Sequence, residues 1–315
     1  VRASGLDRDR GADWEIGRPD GAAPVGGASV IGYRGRGATA LDLRVVAIPA
    51  ITLVIEFGDN QLIVDSAAGR QTLAGFASGF SAGTMRVRGE RVECIEVRLS
   101  PVRAYSLFDV APTDLGGAVV GLDDLWGRRA LLLRERLAAA ATWDERFALT
   151  RSFLARCDDP ARTPHPEVVA SWERIVARRG RVMVGELAEA CGWSRKRLWA
   201  RFESQIGLTP KRAAMLVRFR HAVEGLVTGV PAADVAVTCG YTDQSHLCRD
   251  VSSFADITPG VLAGEPLAGF SKDRHEAWGT FFQTRPARDL GNARRARSGQ
   301  GSSRECARGG EIVSD

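Results

Sequence analysis

The chain has 315 residues, a formal net charge of +5 and an isoelectric point near 9.1. That length accommodates two domains of ordinary size, and basicity this mild excludes a histone-like polycation. Six scattered cysteines without a CxxC pair exclude a disulfide framework; no apolar run is long enough for a membrane span, so a reduced, cytoplasmic protein is expected.

In chain order, residues 1–28 are polar and rich in Gly, Asp and Arg, and read as a flexible leader. Residues 29–110 carry short apolar runs bounded by turn residues: "LRVVAIP", "ITLVIEFGD", "QLIVD", "TMRVRG" and "VECIEVRLSP". Their Val and Ile content and their Gly, Pro and Asp borders predict the strands of a barrel or sandwich. "GYRGRG" at 32–37 has no helix after it, which argues against a nucleotide-binding loop. From 121 to 157 the apolar spacing becomes helical, predicting two helices that close a β-rich domain over 29–157. "DDPARTPHPE" at 158–167 has three prolines and reads as a linker, with His165 exposed. Residues 266–315 are rich in Gly, Ser and Arg and are expected to be disordered.

Between linker and tail a pattern occurs twice. Leu187, Ala188, Gly192, Trp193, Ser194, Leu198, Phe202 and Thr209-Pro210 are matched by Val235, Ala236, Gly240, Tyr241, Thr242, Leu247, Val251 and Thr258-Pro259. The offset is 48 residues up to the turn and 49 after it. Each copy reads as helix, tight turn, helix. A small Ala permits a close crossing, a Gly takes the left-handed position at the helix end, and Ser194, or Thr242 or Asp243, caps the second helix. Leu198 with Phe202, and Leu247 with Val251, are four apart and face inward. Between the copies, Lys211–Thr228 has helical spacing and predicts a connecting helix of about 17 residues, roughly 25 Å long. Such a helix could set two reading heads about one DNA turn apart. Residues 181–230 hold nine Lys and Arg against four Glu, as a phosphate-facing surface requires.

These residues resemble the DNA-binding domain of the AraC/XylS family of transcriptional regulators over about 168–265. The marks are "ELAEACGWSRKRLWARFESQIGLTP", "RFRHAVEGL" and "VAVTCGYTDQSHLCRDVSSFADITP". The resemblance implies an α+β chain: a β-rich, cupin-like N-terminal sensor with two helices, then an all-α double helix-turn-helix domain. It implies DNA reading by Arg195, Lys196, Trp199 and Ala200 in the first unit, and by Gln244, Ser245, His246 and Arg249 in the second. Double-stranded promoter or operator DNA is the implied partner. RNA polymerase, a small-molecule effector and a second copy of the chain are further partners of such regulators. Three positions depart from the family pattern. Ala200 stands where Arg is frequent, with Arg201 beside it. Val251 replaces a Phe, which predicts a lighter second core, and Asp256 replaces a Gly, which predicts a strained turn.

No catalytic group, cofactor or metal is expected. Residues 29–120 contain no histidine, which argues against a metal-dependent cupin enzyme. Cys239, His246 and Cys248 lack a fourth ligand, and two of them fall in a recognition helix, where a structural zinc would be out of place. Cys94 and Cys157 show no active-site setting for a DNA-repair transferase. The rival reading is a protein-interaction module whose second unit, altered at Val251 and Asp256, no longer grips DNA.

Overall fold

The computed structural model describes residues 14–19, 27–36, 40–80, 85–110, 112–115 and 119–264. The segment 266–315 expected as a disordered tail lies outside these residues, as do 1–13 of the leader.

The N-terminal part contains two antiparallel sheets. Strands β1 (Trp14–Gly17), β2 (Ala28–Gly35), β4 (Ile51–Glu56), β7 (Gly75–Ser78), β9 (Glu93–Leu99) and β10 (Val119–Gly121) form a six-stranded sheet in the order β1-β2-β9-β4-β7-β10. Strands β3 (Ala40–Val45), β5 (Leu62–Ser66), β6 (Gly69–Leu73) and β8 (Met85–Glu90) form the second sheet, ordered β3-β8-β5-β6. The leader reading is corrected at β1. Trp14 and Ile16 pack on the core, and Glu15–Arg34 are partners in the β1–β2 register.

The large sheet is covered on both faces, and the period-two alternation of its strands shows why. Leu53, Ile55, Ile95, Val97 and Leu99 point to one core, which they share with the helices. Ile31, Tyr33, Phe76 and Cys94 point the other way, to a core shared with Leu62, Val64, Met85 and Val87 of the small sheet.

Helices α1 (Pro101–Leu107) and α2 (Pro112–Leu115) follow β9, and α3 (Leu122–Trp126) follows β10. The two closing helices expected in 121–157 are α4 (Arg128–Ala139) and α5 (Trp143–Cys157). Thr142 and Glu145 form a reciprocal capping box at the start of α5. Trp143 docks α5 onto the sheet. Its Nε1 donates to Glu15 at 2.7 Å, and its ring lies where a Cβ on the paired residues Gly17 and Gly32 would be. That is the structural reason for the first glycine of "GYRGRG".

The C-terminal part is all helical: α6 (Pro166–Ala177), α7 (Val184–Ala190), α8 (Arg195–Ile206), α9 (Pro210–Val227), α10 (Ala232–Thr238), α11 (Gln244–Ala255) and α12 (Pro259–Gly264). α9 is its axis. Ala213, Leu216, Val217, Phe219, Ala222 and Val223 of α9 are all buried, so the long helix is apolar around most of its circumference.

The proline-rich segment before α6 is not a loose tether. Asp158 accepts from Arg103 at 2.6 Å. Arg162 reaches Asp109 at 2.8 Å and the Tyr105 carbonyl at 3.2 Å. His165, expected to be exposed, is half-buried. It precedes α6, donates its backbone N–H to Gln205 Oε1 at 2.9 Å, and meets the Trp193 ring edge-on.

Candidate nucleic-acid interface

The two helix-turn-helix units are α7–α8 and α10–α11, and they share one set of backbone hydrogen bonds. In the first, Trp193 N–H donates to Ala188 O at 2.9 Å and Gly192 N–H to Glu189 O at 3.0 Å. In the second, Tyr241 N–H donates to Ala236 O at 2.9 Å and Gly240 N–H to Val237 O at 3.1 Å. This pair of bonds is the Schellman helix end, which needs a left-handed residue at its centre. Gly192 (φ +65°) and Gly240 (φ +76°) fill that position.

Each second helix is then started by a side-chain cap. Ser194 accepts from Arg197 N–H at 3.2 Å, and Asp243, rather than Thr242, accepts from His246 N–H at 2.7 Å. Both helices end in a left-handed residue bonded back to the last turn. Gly207 N–H donates to Glu203 O, and Asp256 N–H to Ser252 O. The repeated Thr-Pro is the next helix start. Thr209 caps α9 ahead of Pro210, and the Thr258 hydroxyl accepts from Val261 N–H ahead of Pro259.

The outward faces hold the residues singled out from the sequence. On α8, Arg195, Lys196, Trp199 and Ala200 are exposed, and so are Arg197 and Arg201. Trp199 Nε1 donates to Glu203 at 3.1 Å, and the Arg197 guanidinium lies 4.4 Å from the Trp193 ring centroid. On α11, Gln244, Ser245 and Arg249 are exposed, while Leu247 and Val251 are buried. His246 differs from its neighbours. It is half-buried, 5.1 Å edge-on from the Tyr241 ring, with Nε2 3.4 Å from Arg218. Its ring belongs to the joint between α9 and α11 as much as to the open face.

The basic surface read from residues 181–230 divides in two. Arg181, Arg195, Lys196, Arg197, Arg201 and Lys211 are exposed. Arg212, Arg218 and Arg220 instead work inside the domain, which the charge count could not reveal. Arg218 of α9 donates to Asp250 of α11 at 3.0 Å and lies over the Tyr241 ring at 4.5 Å. Arg212 donates to Ser253 at 3.0 Å and covers the Phe254 ring at 4.0 Å. Arg220, 1% exposed, pairs with Glu224, and burial pulls its guanidinium down to about 9. Burial also pushes the Tyr241 phenol well above its ordinary range. Arg212 and Arg218 hold the second recognition helix against the axial helix.

The reader is joined to the sheets through α8. Ile206, 1% exposed, lines a small pocket together with Ile51, Ala104, Phe108, Pro112 and Leu115. A Cβ on Gly207 would stand 2.5 Å from the Pro112 carbonyl oxygen, so α2 and the end of α8 are in close backbone contact. The opposite end of α8, with its basic side chains, stays open.

Between the two sheets lies a cavity whose lining residues could not be named from the sequence. Its volume is about 100 Å³. One wall carries Thr52, Ser78, Glu96 and Arg98; apolar side chains including Leu43, Met85 and Val87 line the other. The alternation in "VECIEVRL", which puts Cys94, Glu96 and Arg98 on one face of β9, was its only trace in the sequence. No helix among the described residues is long and apolar enough to cross a membrane, and no His, Cys, Asp and Glu cluster there could hold a metal ion.

A protein-family model described as a helix-turn-helix domain matches residues 187–264. An uncharacterised helix-turn-helix-type transcriptional regulator of Bacillus subtilis, YbfI, is 36% identical over 66 residues. That match covers 21% of this chain and 24% of the relative, so the chain aligns with about a quarter of the relative's length. Among solved structures, ToxT from Vibrio cholerae O395 aligns over 76% of this chain and 97% of its own, at 11% identity and a TM-score of 0.43. The C-terminal domain of AraT, a response regulator from Geobacillus stearothermophilus, aligns over 33% of this chain and 88% of its own, at 17% identity and a TM-score of 0.31. The matched segment takes in the second helix-turn-helix unit whole and the first from Leu187 of α7 onward, and the C-terminal part of this chain is a helix-turn-helix domain of the AraC type.

Proposed function

We propose that this chain is a sequence-specific DNA-binding transcriptional regulator. In this reading α8 and α11 enter two successive major grooves, and the β-rich part modulates them. The observation that carries it is the doubled unit. Two recognition helices with the same caps and turns are held on one 18-residue helix, α9, which is about 27 Å long. That length suits two heads separated by roughly one helical turn of DNA, about 34 Å. Arg195, Lys196, Trp199 and Ala200 are assigned to the first groove, and Gln244, Ser245 and Arg249 to the second. His246 contacts DNA only through its outer edge. Gln and Arg side chains supply the donor and acceptor pairs that base edges require, while the exposed cations engage phosphates. The apolar cavity is assigned to a small effector. β9, which lines it, runs through Ser100 into α1, and α1 lines a small pocket together with Ile206 of α8. Whatever shifts β9 therefore bears on the first reading head, provided the effector favours one arrangement.

The test is fluorescence anisotropy of the full chain on its own upstream DNA and on a scrambled duplex, across a salt series. Tighter binding to the native duplex with a steep salt dependence is expected, weakened by Lys196→Ala and by Arg249→Ala. Equal binding to both duplexes, unchanged by either substitution, would overturn the reading.

A further inference from the structure

Resting on the reading of the cavity as an effector site, we infer that its ligand is a small, uncharged molecule: an apolar body of about one ring carrying a single hydroxyl or carbonyl. The wall of the cavity on the large sheet carries a polar stripe beside Tyr33, Val54, Phe76 and Cys94. Arg98 on β9 is the register partner of Thr52 on β4, which is the partner of Ser78 on β7. These side chains therefore stand in one row, with direct neighbours roughly 5 Å apart at Cβ. Glu96 lies two residues before Arg98, on the same face of β9. The facing wall offers only apolar surface, from β3, β5 and β8. Such a cavity orients a molecule with one polar end, because apolar surface fills one side and a few convergent polar groups the other.

The charge of the polar end follows from the pair already there. Arg98 Nε donates to Glu96 at 2.5 Å, and both side chains are nearly buried, at 8% and 14% exposure. The two charges of the pair thus offset one another within the stripe. A carboxylate ligand would set a second anion beside Glu96 in a space of low polarity. An ammonium would do the same to Arg98, and either charge would lose its hydration. A hydroxyl or carbonyl carries no such penalty. It also meets two hydroxyls, on Thr52 and Ser78, that make no side-chain hydrogen bond among the described residues although Ser78 is only 6% exposed. Polar groups in that position are ordinarily satisfied by protein, water or ligand. Size follows from volume. The space of about 100 Å³ is many times what one water needs. It is of the order of the roughly 150 Å³ cavity known to hold benzene.

The experiment is calorimetric titration of the full chain, without DNA, using three probes of one size: phenol, toluene and benzoate. Phenol should bind saturably, toluene about tenfold more weakly, and benzoate not measurably. Replacing both hydroxyls (Thr52→Val with Ser78→Ala) should weaken phenol about tenfold and leave toluene unchanged. Val87→Phe, which fills the cavity from the opposite wall, should abolish binding of both. Benzoate binding as tightly as phenol would overturn the uncharged end. Phenol affinity unaffected by loss of the two hydroxyls would overturn the polar stripe, and no saturable binding of any probe would overturn the site. Since DNA is absent, none of these outcomes depends on whether α8 and α11 read grooves.

Discussion

If the basic residues of the reader divide as the geometry indicates, two substitutions of equal charge will behave differently. Lys196→Gln removes an exposed cation from α8, whereas Arg218→Gln removes the partner of Asp250, whose side chain is 5% exposed. Each phosphate contact contributes about 0.9 to the slope of log affinity against log salt. Losing one therefore flattens the dependence by about threefold between 50 and 200 mM. Lys196→Gln should show that flattening with no change in melting temperature. Arg218→Gln should leave the slope intact but strip a buried carboxylate of its ion pair, costing about 3 kcal/mol. For a unit of about 100 residues that is a fall of more than about 10 °C. Anisotropy over a salt series and thermal denaturation of both variants separate the two effects. A flattened salt dependence in Arg218→Gln with an unchanged melting temperature would refute the assignment of Arg218 to the α9–α11 joint.

Three further outcomes are expected. Glu56 is fully buried and its Oε2 has no hydrogen-bond partner; burial, opposed by the Glu93 and Gly58 backbone N–H groups, raises its carboxyl from 4.5 to about 7. The folded state thus binds its proton more tightly than the unfolded chain, and stability falls as pH rises from 4.5 to 7, by up to about 3 kcal/mol. Glu56→Gln should remove that loss, so urea melts of variant and parent would diverge at pH 8 and converge near pH 4. Ile206→Ala truncates a buried side chain and enlarges the small pocket between α8 and the β-rich part, and should cost about 2–4 kcal/mol in the same assay; a loss below about 0.5 kcal/mol would show the contact to be slack. Asp256→Gly relieves a left-handed residue (φ +54°) and removes a negative charge from the C-terminus of α11, so a gain of about 1 kcal/mol is expected on thermal denaturation.

The helical half was the more legible in the sequence because its marks are local. Gly192 and Gly240 sit at left-handed positions, Ser194 and Thr209 are caps, and each acts within five residues of itself. The β-rich half depends on distant pairings. β1 escaped notice because a four-residue strand carries almost no period. It becomes a strand only through its register with β2 and the contact between Glu15 and Trp143. β6 and β7 are short, and Gly69 and Gly75 inside them look like loop residues. The internal role of Arg218 was hidden for the same reason: its partner Asp250 lies 32 residues away, and a count of charge does not know which side of a helix faces a carboxylate.

The departures from the family pattern in the second unit bear directly on the rival reading of a damaged reader. Val251 is smaller than the Phe it replaces, but the missing ring is supplied one turn later. Phe254 is 1% exposed and stacks on Phe219 of α9 at 5.1 Å. Asp256 takes the same left-handed conformation that Gly207 takes at the end of α8, and its N–H makes the corresponding backward bond. What the two units preserve is therefore the backbone hydrogen-bond scheme, with side chains free to change around it. Arg218, Tyr241 and Asp250 then fix α11 to α9. A second head loosened by substitution was the premise of the interaction-module reading. The packing of α11 speaks against that premise: Leu247, Asp250, Val251 and Phe254 are buried while Gln244, Ser245 and Arg249 stay exposed, the arrangement that the proposed groove reading needs.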